Sequence, residues 1–258
     1  MSIKSKVLAA AATLALVSGT LAAGALTAGT ASAATPSCGP ACVNIYPQEY
    51  AGTSLNAPQF VVDVLKQGEK VGQPIILFRS ANFDPAEDWT YSFQGDVSDF
   101  YAANLVSSSV ALHYGCVNGG VAVAGAEIPC LGTGVDDTAY EIEYAPFGVD
   151  SGLCMGVAAT AVSGEGVTLQ SCGTTSRTVW IQDTFTNDDS PSAQGFWAAI
   201  NGSDTNFSNP FVLTYPSDAY PTDKPRVQLT VTNLAQFSQG TVPDDTNQLF
   251  NAFAGVLP

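Results

Sequence analysis

From residue 34 onward, short runs rich in Val, Ile, Thr, Phe and Tyr are broken by Gly, Pro, Asn and Asp, and helical periodicity is hard to find. An apolar residue at every second position marks a strand with one buried face. The pattern therefore predicts an all-β chain. Candidate strands are QFVVDVL (59–65), PIILFRS (74–80), DWTYSF (88–93), AYEIEYAP (139–146), GLCMGVA (152–158), GVTLQSC (166–172) and TVWIQDT (178–184), followed by GFWAAIN (195–201), PFVLTYP (210–216), RVQLTVTNL (226–234) and NQLFNAF (247–253).

Three groups of these runs share one order: a strand, a turn, a second strand, a polar loop, and a closing strand with a large aromatic. The aromatics are Trp89, Trp180 and Phe250. Internal repetition of this kind governs the fold and has to be weighed before any site is named. The segment 94–137, which includes DFYAANLVSSSVALHYG, separates the first group from the second. It reads as an insertion, with the alternative that it supplies the first strand of the second repeat.

The stretch LCMGVA…GVTLQSCG…VW (153–180) resembles the QxW repeat of the ricin B-type lectins, in which C-L-D-V is followed by G-x-P-V-x-L-W-x-C-N-G and then Q-x-W. The middle repeat carries the resemblance most fully, and the whole covers about three quarters of the chain after residue 33. It implies a single β-trefoil domain over 34–258 with three degenerate repeats, roughly 43–95, 96–185 including the insertion, and 190–258, with enlarged loops and disulfide stabilisation. It also implies that Cys154 and Cys172 are bonded to each other.

In that family a carboxylate, an aromatic ring, an Asn and the Gln of Q-x-W surround a bound sugar. In the first repeat the corresponding positions are Asp63, Phe78, Asn82 and Glu87, although Val61 and Ser80 replace the cysteines. The middle repeat has Gly156, Gln170, Gly173 and Thr178 instead, and the third has Thr214, Val231 and Gln248. The resemblance thus implies a sugar site in the first repeat alone. Phe196, Trp197, Tyr215 and Tyr220 are candidates for a separate stacking platform, against the plainer reading as packing residues.

Other features place the chain in its surroundings. Lys4 and Lys6, an Ala/Leu/Val-rich stretch and Ala31-Ser32-Ala33 read as an export leader over 1–33. The expected protein is therefore secreted and extracellular. Removing the leader from 258 residues leaves 225, with six Lys and Arg against 23 Asp and Glu, a formal charge of about −17. Such a surface repels nucleic acid and anionic membranes, so neither is an expected partner. Six cysteines in an exported chain are expected to form disulfides. The connectivity is open in principle, and sequence proximity favours Cys38 with Cys42, Cys116 with Cys130, and Cys154 with Cys172.

Catalysis needs a nucleophile with its base, a carboxylate pair flanking the substrate, or a metal. His113 is the only histidine, no G-x-S-x-G elbow accompanies it, and Glu141 and Glu143 lie two apart on one strand, side by side rather than opposed. The doublets Asp136-Asp137, Asp188-Asp189 and Asp244-Asp245 read as solvated turns. No catalytic residue, metal or cofactor is expected. The expectation is a non-catalytic, lectin-like carbohydrate-binding protein; the alternative is a protein-binding module, such as a peptidase inhibitor, acting through the loop between Cys116 and Cys130.

Overall fold

A computed structural model describes residues 42–47, 60–81, 84–115, 120–123, 126–129, 137–184, 197–205, 210–215, 227–234 and 246–254. The strands are β1 (Val43–Pro47), β2 (Phe60–Val64), β3 (Ile75–Arg79), β4 (Trp89–Asp96), β5 (Gly120–Val123), β6 (Ala126–Pro129), β7 (Thr138–Tyr144), β8 (Leu153–Val157), β9 (Glu165–Ser171), β10 (Val179–Thr184), β11 (Trp197–Asn201), β12 (Phe211–Thr214), β13 (Val227–Gln228), β14 (Thr230–Asn233) and β15 (Phe250–Ala254). Two helices, α1 (Val97–Ala102) and α2 (Ser108–Tyr114), follow β4.

Six strands close into a ring: β1 pairs with β4, β4 with β7, β7 with β10, β10 with β11, β11 with β15, and β15 with β1. Closure removes the unpaired edges that a flat sheet would leave. Three hairpins, β2–β3, β8–β9 and β12–β14, hang from the ring. They also bond to one another in a cycle: Gly72 N–H donates to Leu169 O at 2.8 Å, Gly164 N–H to Val231 O at 2.7 Å, and Leu229 N–H to Ile75 O at 2.9 Å. Gly72 and Gly164 hold equivalent hairpin turns at φ 82° and 84°, a region that side-chain-bearing residues avoid. A six-stranded ring capped by three mutually bonded hairpins is a β-trefoil.

The internal threefold relation is visible in the register. Val43 pairs with Trp89, Tyr140 with Trp180, and Trp197 with Phe250, each joining the first strand of a repeat to its closing aromatic. Trp89 donates its indole N–H to Val62 O at 3.0 Å, and Trp180 donates to Met155 O at 2.9 Å. Phe250 fills the third place without a donor. Around these rings the inward residues of the hairpins, among them Val64, Leu77, Val157, Leu169, Leu213 and Val231, form the main core.

The all-β reading holds for the fold, with two short helices opening the segment after β4. Both are under two turns, too short for a 3.6-residue period to show in the sequence. Ser107 caps α2 by accepting the Val110 N–H at 3.1 Å. Val97, Phe100, Val110 and Ala111 pack on Ala139, Val179, Ile181, Ala198, Ile200 and Val212, the outward positions of the neighbouring strands. The insertion thus builds a second core against the outside of the ring, which is why β10 and β11 are apolar on both faces. The first strand of the second group is β7, not part of the insertion.

Cys154 and Cys172 are disulfide-bonded across β8 and the end of β9, with Cα atoms 5.0 Å apart. Cys42 is also disulfide-bonded, and there is no free cysteine among the described residues. Cys38, Cys116 and Cys130 lie outside the described residues, as do the leader and the doublets Asp188-Asp189 and Asp244-Asp245. No described helix is long and apolar enough to cross a membrane.

Candidate functional site

The three repeats present the same backbone positions with different chemistry. In the first, Asp63 on β2 lies opposite Ile76, two positions along from the Val61–Phe78 pair and on the same face. Between these strands and the turns beyond them is a cavity of about 210 Å³, lined by Asp63, Lys66, Gln67, Ile76, Phe78, Asp84 and Ala86. That is room for a single sugar ring rather than a drug-sized ligand, which takes roughly 300–1,000 Å³. Asp63 and Phe78, predicted from the repeat pattern, do line one cavity. Asn82 lies outside the described residues.

Glu87 is only 2% exposed. Its Oε1 accepts the Ala81 N–H at 2.8 Å, and its Oε2 accepts the Ser80 hydroxyl at 3.5 Å, so it ties down the two residues that follow β3. One oxygen each of Asp63, Asp84 and Glu87 lie within 4.8 Å of one another. Burial, opposed by the Ala81 N–H and reinforced by Asp84, Asp63 and Asp88, raises the Glu87 pKa to about 8. Glu87 is therefore mostly protonated at neutral pH. Burial likewise raises Asp88 to about 6, against the Phe147 N–H that it accepts and with Asp84 pushing the same way.

In the unfolded chain Glu87 ionises near its ordinary value of 4.5, whereas in the folded protein it does so only near 8. Between those values the folded state holds a proton that the unfolded state has released. Its contribution to stability is therefore fully present below pH 4.5 and is lost as pH rises through 8, at up to about 1.4 kcal/mol per pH unit. Asp88 adds to the same slope at lower pH. Glu87→Gln, which keeps the acceptor and removes the charge, is expected to flatten the fall in Tm between about pH 5 and 8. Parallel Tm profiles for the two proteins would contradict this.

Asp84, Lys66 and Gln67 were not predicted from the sequence. Asp84 Oδ1 accepts the Ala86 N–H and the Gln67 Nε2–H, each at 3.0 Å, capping the turn Pro85–Glu87 and pinning the rim opposite. The available signal was D-P-A-E, an acidic cap followed by Pro at the first turn position. Among the described residues lining the cavity, Lys66 is the only cation.

The equivalent space in the middle repeat is filled. A Cβ on Gly156 would lie 2.7 Å from Arg177 O and 3.1 Å from Thr178 Cγ2, so the 175–178 turn occupies the place of the Asp63 side chain. Thr178 does not stand in for the Gln of the family pattern. Instead Glu141 reaches in from β7, accepting the Gly173 N–H at 2.9 Å and the Thr178 hydroxyl at 2.6 Å. Glu143 accepts the Gly152 N–H at 2.6 Å. Both carboxylates thus brace turns.

In the third repeat the register corrects one assignment. Val231 pairs with Leu213 and is core, so the counterpart of Phe78 is Thr232, opposite Val212. Gln248 Nε2 donates to Asn233 O at 2.8 Å and to Thr232 Oγ1 at 2.9 Å, and Thr214 and Thr232 share a 2.8 Å hydrogen bond. These polar groups satisfy one another. Of the proposed aromatic platform, Trp197 and Tyr215 are buried in the core, and Phe196 and Tyr220 lie outside the described residues.

His113 sits in the last turn of α2, where partial burial lowers its pKa. For metals, the bonded Cys154 and Cys172 beside Glu143 are not thiolates. Among the described residues, Asp63, Asp84 and Glu87 are the other grouping whose carboxylate oxygens could meet on one cation.

No family model matches the chain, and no curated protein matches it. Among solved structures it is similar to a designed threefold-symmetric protein, ThreeFoil (TM-score 0.45, 10% identity, covering 82% of this chain and 97% of that one). It is also similar to a mosquitocidal holotoxin (0.46, 12%, covering 83% and 17%) and to an exo-β-1,3-galactanase from Clostridium thermocellum (0.45, 11%, covering 83% and 30%). The chain thus spans less than a third of the toxin and of the galactanase. At these scores the fold assignment rests on the strand ring and hairpin cycle of the chain itself.

Proposed function

We propose that this is a secreted, non-catalytic carbohydrate-binding protein, a degenerate relative of the ricin B-type lectins with one working site, in its first repeat. The observation that carries this reading is the cavity joining Asp63 to Phe78, while the matching place is filled in the middle repeat and lined by mutually bonded polar groups in the third. A carboxylate accepts hydrogen bonds from sugar hydroxyls, and the aromatic wall covers the apolar face of the ring. Protonated Glu87 behind Asp63 keeps a third negative charge out of the site at neutral pH. With Asp63 and Asp84 against Lys66, the site favours neutral sugars and repels uronic or sulfated ones.

The test is a glycan panel followed by isothermal titration. The expected result is binding to neutral glycans with one site per chain. Saturation at three sites per chain, selective binding of anionic glycans, or no binding across the panel would overturn the proposal.

A further inference from the structure

Left-handed backbone occurs at the cavity wall and on a turn packed against it. Among the described residues, Lys66 (φ 59°), Gln67 (φ 53°), Phe147 (φ 58°) and Asn104 (φ 59°) are the non-glycine residues with positive φ. Lys66 and Gln67 line the cavity. For a bulky side chain such a conformation is disfavoured by its own Cβ and persists only where the surroundings impose it.

Around Phe147 the imposing group is Asp88. Its Oδ2 accepts the Phe147 N–H at 3.1 Å, and its carbonyl accepts the Ala145 N–H at 2.9 Å, while Gly148 N–H closes the turn on Ala145 O at 2.8 Å. Asp88 directly follows the turn Pro85–Glu87, which carries the cavity residue Ala86, and the turn Pro146–Gly148 packs against it. The outcome is a phenylalanine 41% exposed, with Val149 66% exposed two residues on. A glycine at 147 would serve the turn without strain. The phenylalanine instead puts an apolar face in water on a turn packed against the 85–87 turn of the cavity wall, where a second sugar ring would cover it.

We propose that Phe147, with Val149, is a second sugar subsite, so that the ligand is a neutral oligosaccharide of at least two rings: one in the Asp63–Phe78 cavity, the next over the 146–149 turn. This rests on the cavity being a sugar site. Asp88 is a positioning residue that holds the platform.

Isothermal titration with gluco-, galacto-, manno- and xylo-oligosaccharides, each series starting from the monosaccharide, tests the subsite. In the series that binds, the disaccharide should bind about tenfold more tightly than the monosaccharide, the scale of one aromatic stacking contact. Phe147→Ala should abolish that gain and leave monosaccharide affinity within about twofold. Phe147→Gly, which also relieves the backbone, should lose the gain with an unchanged or higher Tm, so lost folding cannot explain the result. A length gain that survives both substitutions, or affinity independent of length, overturns the subsite even where Asp63→Asn abolishes monosaccharide binding. Absence of any sugar binding overturns the cavity reading and the subsite together.

Discussion

Trp180→Ala is expected to cost about 3–5 kcal/mol of folding stability, lowering Tm by roughly 6–20 °C in a domain of this size. The indole is fully buried in the main core, so truncation leaves a cavity that the surrounding β8, β9 and β10 can only partly collapse into. It also removes the donor to Met155 O. Trp180→Phe separates the two terms, because Phe250 already shows a phenyl ring serving at the equivalent place. That substitution should cost about 1–2 kcal/mol, a lost hydrogen bond plus a small void. Denaturant melts of the two variants check the pair; a Trp180→Ala cost below about 2 kcal/mol would contradict the equivalence of the three aromatic positions.

The elements most legible in the sequence are those whose burial alternates. In β9, Val167 and Leu169 are buried while Thr168 and Gln170 are partly exposed, and the run was readable from that alone. Strand β1 escaped because all five of its residues are buried, Asn44 included, whose side chain donates to Glu87 O at 2.8 Å. With no polar face there is no alternation to read. RVQLTVTNL reads as one strand, yet it divides at Leu229, where the chain leaves its own hairpin to bond Ile75 of the first repeat. That break is set by the neighbouring hairpin rather than by local residues.

The site was legible to the same degree. Repeat spacing placed Asp63 and Phe78 correctly on facing strands, because hairpin register follows the alternation. It did not reveal Lys66, Gln67 or Asp84, which reach the cavity through turns whose shape depends on left-handed backbone and a side-chain cap. Nor did it reveal that Glu141 replaces the missing Gln of the middle repeat, since β7 meets that turn only once the ring has closed. Substitutions compensated from another strand leave no trace in a repeat read by itself.

Asp63→Asn should weaken sugar binding by about 10- to 150-fold, the range of a charge-assisted hydrogen bond of about 1.5–3 kcal/mol. The amide keeps the size of the side chain, so the cavity retains its shape while the charge on its wall is lost. Asp63 is also one of the carboxylates that push the Glu87 pKa up. Removing its charge should therefore lower that pKa and narrow the pH range over which the folded state holds the extra proton. Loss of binding without loss of stability is the signature of a ligand contact, whereas a fall in both would mark Asp63 as structural. Thr214→Ala is the matched control: it occupies the same place in the third repeat, where the hydroxyl is spent on Thr232 and Val212 O. It should lower Tm by a few degrees and leave sugar affinity intact. Equal affinities for the wild type and Asp63→Asn would remove the first-repeat cavity as the binding site.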